Sequence, residues 1–332
     1  NFDRAIDAYQ QAILLKPDYA DGYNNMGVAL KEQGKLDEAI KAYKKVLVLK
    51  PDYVEAYNNM GNTLKEQGKL DEAIEIFKKA LSLKPNFAEV YNNMGLALKD
   101  QGKLDEAIKA YKKAILLRHD YVEAYNNMGN ALQEQGNFDE AIELFQKALL
   151  LKPNSVTTYN NMGNTLKEHG KLDEAIKAYQ KALLLKPDYA EVYSNMGLLK
   201  KEEGNLDKSI DLFKKALLLK PNYAEGYSNM GNTLFDQGKH DEAIDNYRKS
   251  ITLKPNYPDA HKNLSLALLN TGKVINTTRI KEGLEEYEWR WKTPEGLSHQ
   301  RHFQKPLWDG QTSLNGKRIL IWCEQGIGDT MN

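Results

Sequence analysis

Eight asparagines recur at a spacing of 34 residues: Asn25, Asn59, Asn93, Asn127, Asn161, Asn195, Asn229 and Asn263. Each side-chain amide carries two N–H donors and a carbonyl acceptor. That is the complement of a peptide group, so a row of such amides can hold a polypeptide backbone without reading its side chains. Asparagine is a mediocre helix former, so a column of it inside helical repeats points to use rather than to folding. A second stretch with chemical potential lies at the far end. Arg318 to Cys323 is a short apolar run with the look of a buried strand, followed by Gly326, Gly328 and Asp329. Strand, glycine turn and helix start form the opening of a nucleotide-binding α/β unit, where the turn admits a phosphate and the helix N-terminus favours its charge. The stretch is neither a phosphate loop of the Lys-Ser/Thr kind nor a complete dinucleotide fingerprint. His299 and His302 stand in an irregular stretch without a nearby cysteine, too little for a metal site, so no metal is expected.

The elements that position the asparagines follow from the same period. It carries Gly27, Gly61, Gly95, Gly129, Gly163, Gly197 and Gly231, and also Pro17, Pro51, Pro85, Pro153, Pro187, Pro221 and Pro255. Each unit reads as two helices. Asp52 and Glu55 suggest a variant capping box at the start of one first helix, Gly68 an αL residue that closes it, and Pro85 a stop for the second helix. At about 100° per residue, Tyr23, Met26, Gly27 and Leu30 share one side of a first helix. Leu36, Ala39, Ile40, Tyr43 and Leu47 form the matching stripe on the second. Gly27, having no side chain, lets that second helix come close. Asp21, Asn25, Val28 and Glu32 occupy the opposite side. Neither stripe is buried by one hairpin alone, so neighbouring units must stack.

This pattern resembles the tetratricopeptide repeat family over about four-fifths of the chain, with Tyr57, Met60, Gly61, Leu64, Gly68, Ala73, Phe77, Ala80 and Pro85 in the family's spacing. The fold class expected is all-α: a right-handed superhelical solenoid of helix hairpins, with a short truncated α/β segment at the C-terminus. The expected organisation is the second helix of a truncated repeat over 1–19, seven full repeats over 20–257, and a degenerate eighth repeat with an insertion over 258–292. A linker over 293–316 and the first strand and glycine turn of a glycosyltransferase-like domain over 317–332 would follow. Gly283, Leu284 and Tyr287 read as the displaced start of the last second helix. Because the register opens half-way through a repeat, the chain is expected to be an internal piece of a longer protein. Its uncapped first helix is a candidate for self-association.

Composition narrows the function. Lys plus Arg and Asp plus Glu number 46 each, so no basic stripe argues for nucleic acid. No apolar run approaches the roughly 18–20 residues that span a bilayer. One cysteine, Cys323, excludes an internal disulfide and fits a reducing compartment, so a cytoplasmic location is expected.

The resemblance goes further. In stacked tetratricopeptide hairpins the first helices line a concave groove, which would turn the asparagine column inward. The column looks like the asparagine ladder in the repeat arm of O-linked N-acetylglucosamine transferases, which binds substrate backbone. Two other readings stand beside it: bonding between neighbouring helices along the stack, and simple copying by recent duplication. Asp21, Glu55, Glu89, Glu123, Glu191 and Glu225 either favour basic ligands or serve as the acidic residues usual at helix N-termini. Glu285–Trp291, Pro306–Gly310 and Gly316–Thr330 resemble the junction in bacterial tetratricopeptide proteins that carry a glycosyltransferase-like domain related to the ADP-heptose transferases. That likeness implies a nucleotide sugar as ligand of a longer parent, with Gly326 and Gly328 at its phosphates and Asp329 as a base, or merely as a helix cap. The donor-sugar half is missing, so no cofactor and no transferase activity are expected of this chain alone. The function expected is a scaffold for extended protein segments, the substrate-recognition arm of such a parent; the alternative is a free-standing adaptor.

Overall fold

A computed structural model of the chain describes residues 2–271, 277–287, 289 and 292. The segments expected at 293–316 and 317–332, with Gly326, Gly328 and Asp329, lie outside the described residues. Every described element is a helix, and two compact units are distinguished, Asn1–Pro255 and the residues from Asn256 onward.

The first unit opens with α1 (Phe2–Leu15) and continues as seven hairpins. Their first helices are α2 (Ala20–Glu32), α4 (Val54–Glu66), α6 (Ala88–Asp100), α8 (Val122–Glu134), α10 (Val156–Glu168), α12 (Ala190–Glu202) and α14 (Ala224–Asp236). Their second helices are α3 (Leu36–Leu49), α5 (Leu70–Leu83), α7 (Leu104–Leu117), α9 (Phe138–Leu151), α11 (Leu172–Leu185), α13 (Leu206–Leu219) and α15 (His240–Leu253). Each second helix packs on its own first helix, and each but the last also on the first helix of the next hairpin. First helices touch first helices all along the unit, whereas second helices do not touch one another. The stack therefore curves with the first helices on its inner side.

The hairpin turn follows from one glycine. Gly68 has φ +76°, in the left-handed region. With that residue at C′, the Lys69 amide donates to the Leu64 carbonyl at 2.9 Å and the Gly68 amide to the Lys65 carbonyl at 2.9 Å, the Schellman pattern. The expected capping box does not form. Tyr53, not Asp52, is the N-cap residue of α4, and no side chain caps that helix. Asp52 is therefore one position too early to reach the free amides of the first turn. Ser155 does cap α10, accepting from the Thr158 amide.

Both expected stripes are found. Gly27, Leu30, Ala39, Ile40 and Tyr43 are buried, and Tyr23, Met26, Leu36 and Leu47 half-buried. Asp21, Asn25, Val28 and Glu32 are exposed on the opposite side. The closest approach in every hairpin is between the first-helix glycine and an aromatic ring of the second helix. A Cβ at Gly163 would lie 2.5 Å from Tyr179 Cε1, and one at Gly61 2.5 Å from Phe77 Cε1. These rings are fully buried.

The second unit pairs α16 (Pro258–Thr271) with α17 (Thr277–Tyr287). Here one expectation fails. Gly283 lies in the latter half of α17, not at its start, because no glycine or proline interrupts residues 277–282. It packs on the end of α16, where a Cβ would come within 2.9 Å of Leu269 Cγ. His261 is buried, bonds Glu286 through Nδ1 and stacks on Trp289 at 3.9 Å.

The glycine clearances predict a graded effect. Gly163→Ala forces the buried Tyr179 ring to move and should cost about 1–3 kcal/mol. Gly197→Ala, whose Cβ would sit 3.0 Å from Phe213, should come close to neutral, because alanine's helix propensity offsets the smaller clash. Urea unfolding midpoints measure both.

Candidate functional site

The seven asparagines from Asn25 to Asn229 sit on the seven first helices of the first unit, and Asn263 on α16 in the second. The residue before each of them is Asn in five units (Asn24, Asn58, Asn92, Asn126 and Asn160), then Ser194, Ser228 and Lys262, a column the sequence shows without revealing its role. Asn24, Asn58, Asn92, Asn160, Ser194 and Ser228 are buried between adjacent first helices. Each buried asparagine can accept from the column asparagine of the next repeat. Asn59 Nδ2 donates to Asn24 Oδ1 at 3.1 Å, Asn93 to Asn58 at 3.0 Å, Asn127 to Asn92 at 2.9 Å and Asn195 to Asn160 at 3.1 Å. Four of the column asparagines are thus bonded between neighbouring helices, as one of the expected readings had it. The bond engages one N–H of each amide. In Asn59 and Asn127 the second N–H and Oδ1 make no bond within the protein, and both side chains stay half-exposed on the inner face.

The ladder has gaps. Asn126 Nδ2 turns to the Val122 carbonyl at 2.9 Å, its Oδ1 is buried without a partner, and Asn161 makes no ladder bond. Asn195 makes a second bond, to Asn164 Oδ1 at 2.9 Å, and that oxygen also accepts from the buried Tyr179 hydroxyl at 2.7 Å. Beneath Asn59, Asn161 and Asn229 a buried threonine donates to the backbone carbonyl from one turn on, as Thr63 does to Asn59 at 2.8 Å.

A charged column runs beside the amides. Lys31 pairs with Glu66 at 3.5 Å, Lys65 with Asp100 at 3.9 Å, Lys99 with Glu134 at 2.7 Å and Lys201 with Asp236 at 2.9 Å. Gln133 takes the lysine's place toward Glu168 at 2.9 Å. The lysine partners thus include acids of the following repeat, one step along the stack. Amide and charge columns share one offset of 35 residues, and that offset is the signal in the sequence from which both could be read.

The acidic residues at the helix starts are also largely engaged within the protein. Asp21 accepts from the Tyr53 hydroxyl at 2.7 Å, and this bond, with burial and nearby carboxylates, pushes the Tyr53 pKa up to about 12. Glu89 accepts from Asn58 at 3.1 Å. Burial is the largest effect on the Glu191 carboxyl and would raise it, but the Lys220 ammonium at 2.6 Å, a backbone amide at the helix start and the Lys186 charge together outweigh it and hold the group below its usual range. The Lys254 hydrogen bond at 3.0 Å does the same for Glu225 against a smaller burial effect. Glu55 and Glu123 remain exposed.

Family models described as the tetratricopeptide repeat match residues 120–187, 154–221 and 212–245, and one described as the TPR repeat matches 1–34, 29–68, 61–102, 95–136 and 231–272. Together they run without a gap from residue 1 to 272. The chain belongs to the tetratricopeptide repeat family. No curated protein sequence matches it. Among solved structures, this repeat chain is similar to the APC/C hetero-tetramer Cut9–Hcn1, at 22% identity and a TM-score of 0.60 over 81% of the chain and 53% of that one. It thus spans about half the length of that relative. A tetratricopeptide repeat protein from Parabacteroides merdae aligns at 19% identity and a TM-score of 0.64, over 75% of this chain and 98% of that one. The MamA protein is 34% identical over 52% of this chain and 94% of its own, with a TM-score of 0.45. The first two likenesses bear out the all-α solenoid. Among the described residues, no helix is long and apolar enough to cross a membrane.

The lowered Glu225 value sets a pH dependence. A carboxylate with a depressed folded-state pKa contributes stability that is full above its unfolded value near 4.5 and is lost as pH falls through the folded value. Lys254→Met should therefore be less stable than the parent at pH 7, with the difference closing as the pH falls through the lowered Glu225 value. Urea midpoints across that range check the sign.

Proposed function

We propose that the protein is an interaction scaffold that holds extended protein segments along its asparagine-lined inner face. The observation that carries this reading is the half-engaged amide. In Asn59 and Asn127, one N–H is bonded to the preceding repeat and orients the group, while one donor and one acceptor stay unbonded within the protein. Packed first helices lie roughly 8–10 Å apart, and an extended chain advances roughly 3.3 Å per residue. One amide per repeat then meets about every third peptide group. The same ladder that stacks the repeats thereby presents evenly spaced backbone partners.

The test separates the two roles. Asn127, Asn161 and Asn195 changed together to Ala should weaken an extended 15-mer, selected from a random peptide array, by about tenfold or more, with helicity retained. The control set Asn58→Ala, Asn92→Ala and Asn160→Ala removes the buried acceptors, and with Asn58 its bond to Glu89, so it should lower stability by about 1 kcal/mol per bond and weaken the peptide less than the column set does, by the lost orientation of the amides alone. Fluorescence anisotropy reads the affinity. Equal losses in both sets would reduce the ladder to a stacking device.

We further propose that the chain is the substrate-recognition arm of a larger glycosyltransferase-like protein. This rests on the likeness of Glu285–Trp291, Pro306–Gly310 and Gly316–Thr330 to the junction of such proteins. Gly326 and Gly328 would then face the phosphates of a nucleotide sugar, beside Asp329. The complete gene product should bind UDP-N-acetylglucosamine or an ADP-sugar by calorimetry. Binding of neither would leave a free-standing adaptor.

A further inference from the structure

The outer side of the stack carries a feature that the inner face does not use. Leu116, Leu150, Leu184 and Leu218 occupy the same position near the ends of α7, α9, α11 and α13, and are 62%, 81%, 72% and 80% exposed. Their neighbours Leu151, Leu185 and Leu219 are partly exposed as well. Scattered surface leucines are ordinary, but an aligned row in four consecutive repeats is not. The row ends at Thr252 and is interrupted at Ser82, before which Leu14 and Val48 hold the equivalent position, 72% and 74% exposed.

Each of the four leucines is bracketed by cations. Lys113, Lys147, Lys181 and Lys215 stand three residues earlier, on the same helix face. Arg118, Lys152, Lys186 and Lys220 stand two residues later. The later set is partly engaged, Arg118 over the Tyr121 ring at 3.2 Å and Lys220 with Glu191. In the earlier set Lys215 lies over the Tyr193 ring at 4.5 Å, while Lys113, Lys147 and Lys181 are exposed and form no ion pair among the described residues.

We infer that this row docks an acidic amphipathic α-helix of a partner protein. Charge complementarity selects that occupant. The helices that carry the row do not touch one another, so neighbouring leucines are set further apart than the roughly 8–10 Å of packed helices. A partner helix of roughly 20 residues, about 30 Å long, would lay its apolar face along up to three of them, with flanking carboxylates on the lysines. A second copy of this chain docked row to row would oppose lysine to lysine. An anionic bilayer would also meet the exposed pairs Asp105 and Glu106, Asp139 and Glu140, and Asp173 and Glu174 at the other ends of these helices, whereas a helix about 10–12 Å wide seats on the basic ends alone. The row also lacks the aromatic residues typical of interfacial anchors.

The probe is a fluorescein-labelled, hydrocarbon-stapled helix of roughly 20 residues, with leucines along one face and glutamates elsewhere, titrated by anisotropy. The parent protein should bind it saturably and more weakly as salt rises. A variant with all four leucines changed to Ser should lose at least tenfold in affinity while keeping its helicity and unfolding midpoint. Lys147→Glu with Lys181→Glu should lose a similar amount, and a lysine version of the probe should not bind. Equal binding by the leucine variant, or no binding by the parent, overturns the inference. So does leucine-dependent binding to phosphatidylserine vesicles in place of the helix, or a dimer in sedimentation that the leucine variant abolishes.

Discussion

The stack depends on a contact between a hydrogen atom and a ring. In each hairpin the first-helix glycine faces a buried tyrosine or phenylalanine of the second helix, and in all but the Gly197 hairpin the distance leaves no room for a Cβ. Burying an aromatic ring is among the larger apolar gains available to one side chain. Here it is reached only because the opposing backbone is bare. The close hairpin then sets where the next first helix can lie, since each second helix but the last packs on the first helices of two repeats. A solenoid has no central core to absorb error, so the same contact is remade in each hairpin of the first unit.

That packing brings first helices near enough for polar side chains to meet, and the meeting has a fixed register. Residue i finds residue i + 35, both for the amides and for the lysine–carboxylate pairs. A buried asparagine with no partner would be costly, so Asn58 and Asn92 are tolerable inside the stack because the next repeat supplies a donor. The consequence for chemistry is orientation. An amide free to rotate loses entropy on binding a peptide, whereas one already held by its neighbour loses less. The charge pairs have the opposite effect, engaging the inner lysines and leaving a face dominated by neutral amides.

The two faces of the stack are therefore different in kind. On the inner side polar groups are tied to one another across repeats and expose a partial, evenly spaced hydrogen-bonding capacity. On the outer side the second helices do not touch one another, so their lysines and terminal leucines have no neighbour at the repeat spacing to engage them. Curvature thus gives the same 34-residue unit an inner surface paired from repeat to repeat and an outer surface whose lysines, like Lys220 with Glu191, find partners within their own repeat or none.

Much of this was legible in the sequence. The period, the helix boundaries near Gly68 and Pro85, the apolar stripes and the inward glycine follow from local rules, because a helix places residues at fixed angles whatever surrounds it. The side of the helix that bears Asn25, with Asp21, Val28 and Glu32, followed as well. The tertiary structure alone decided what the amides bond to. Asn24 and Asn59 are distant in sequence, and only the set of the stacked helices makes them neighbours. It also decided that Asp52 misses the cap and that Gly283 sits within α17, since the start of a helix depends on how its turn packs. Residues adjacent on one helix are determined by chain geometry; residues adjacent between helices are determined by which surfaces are buried together.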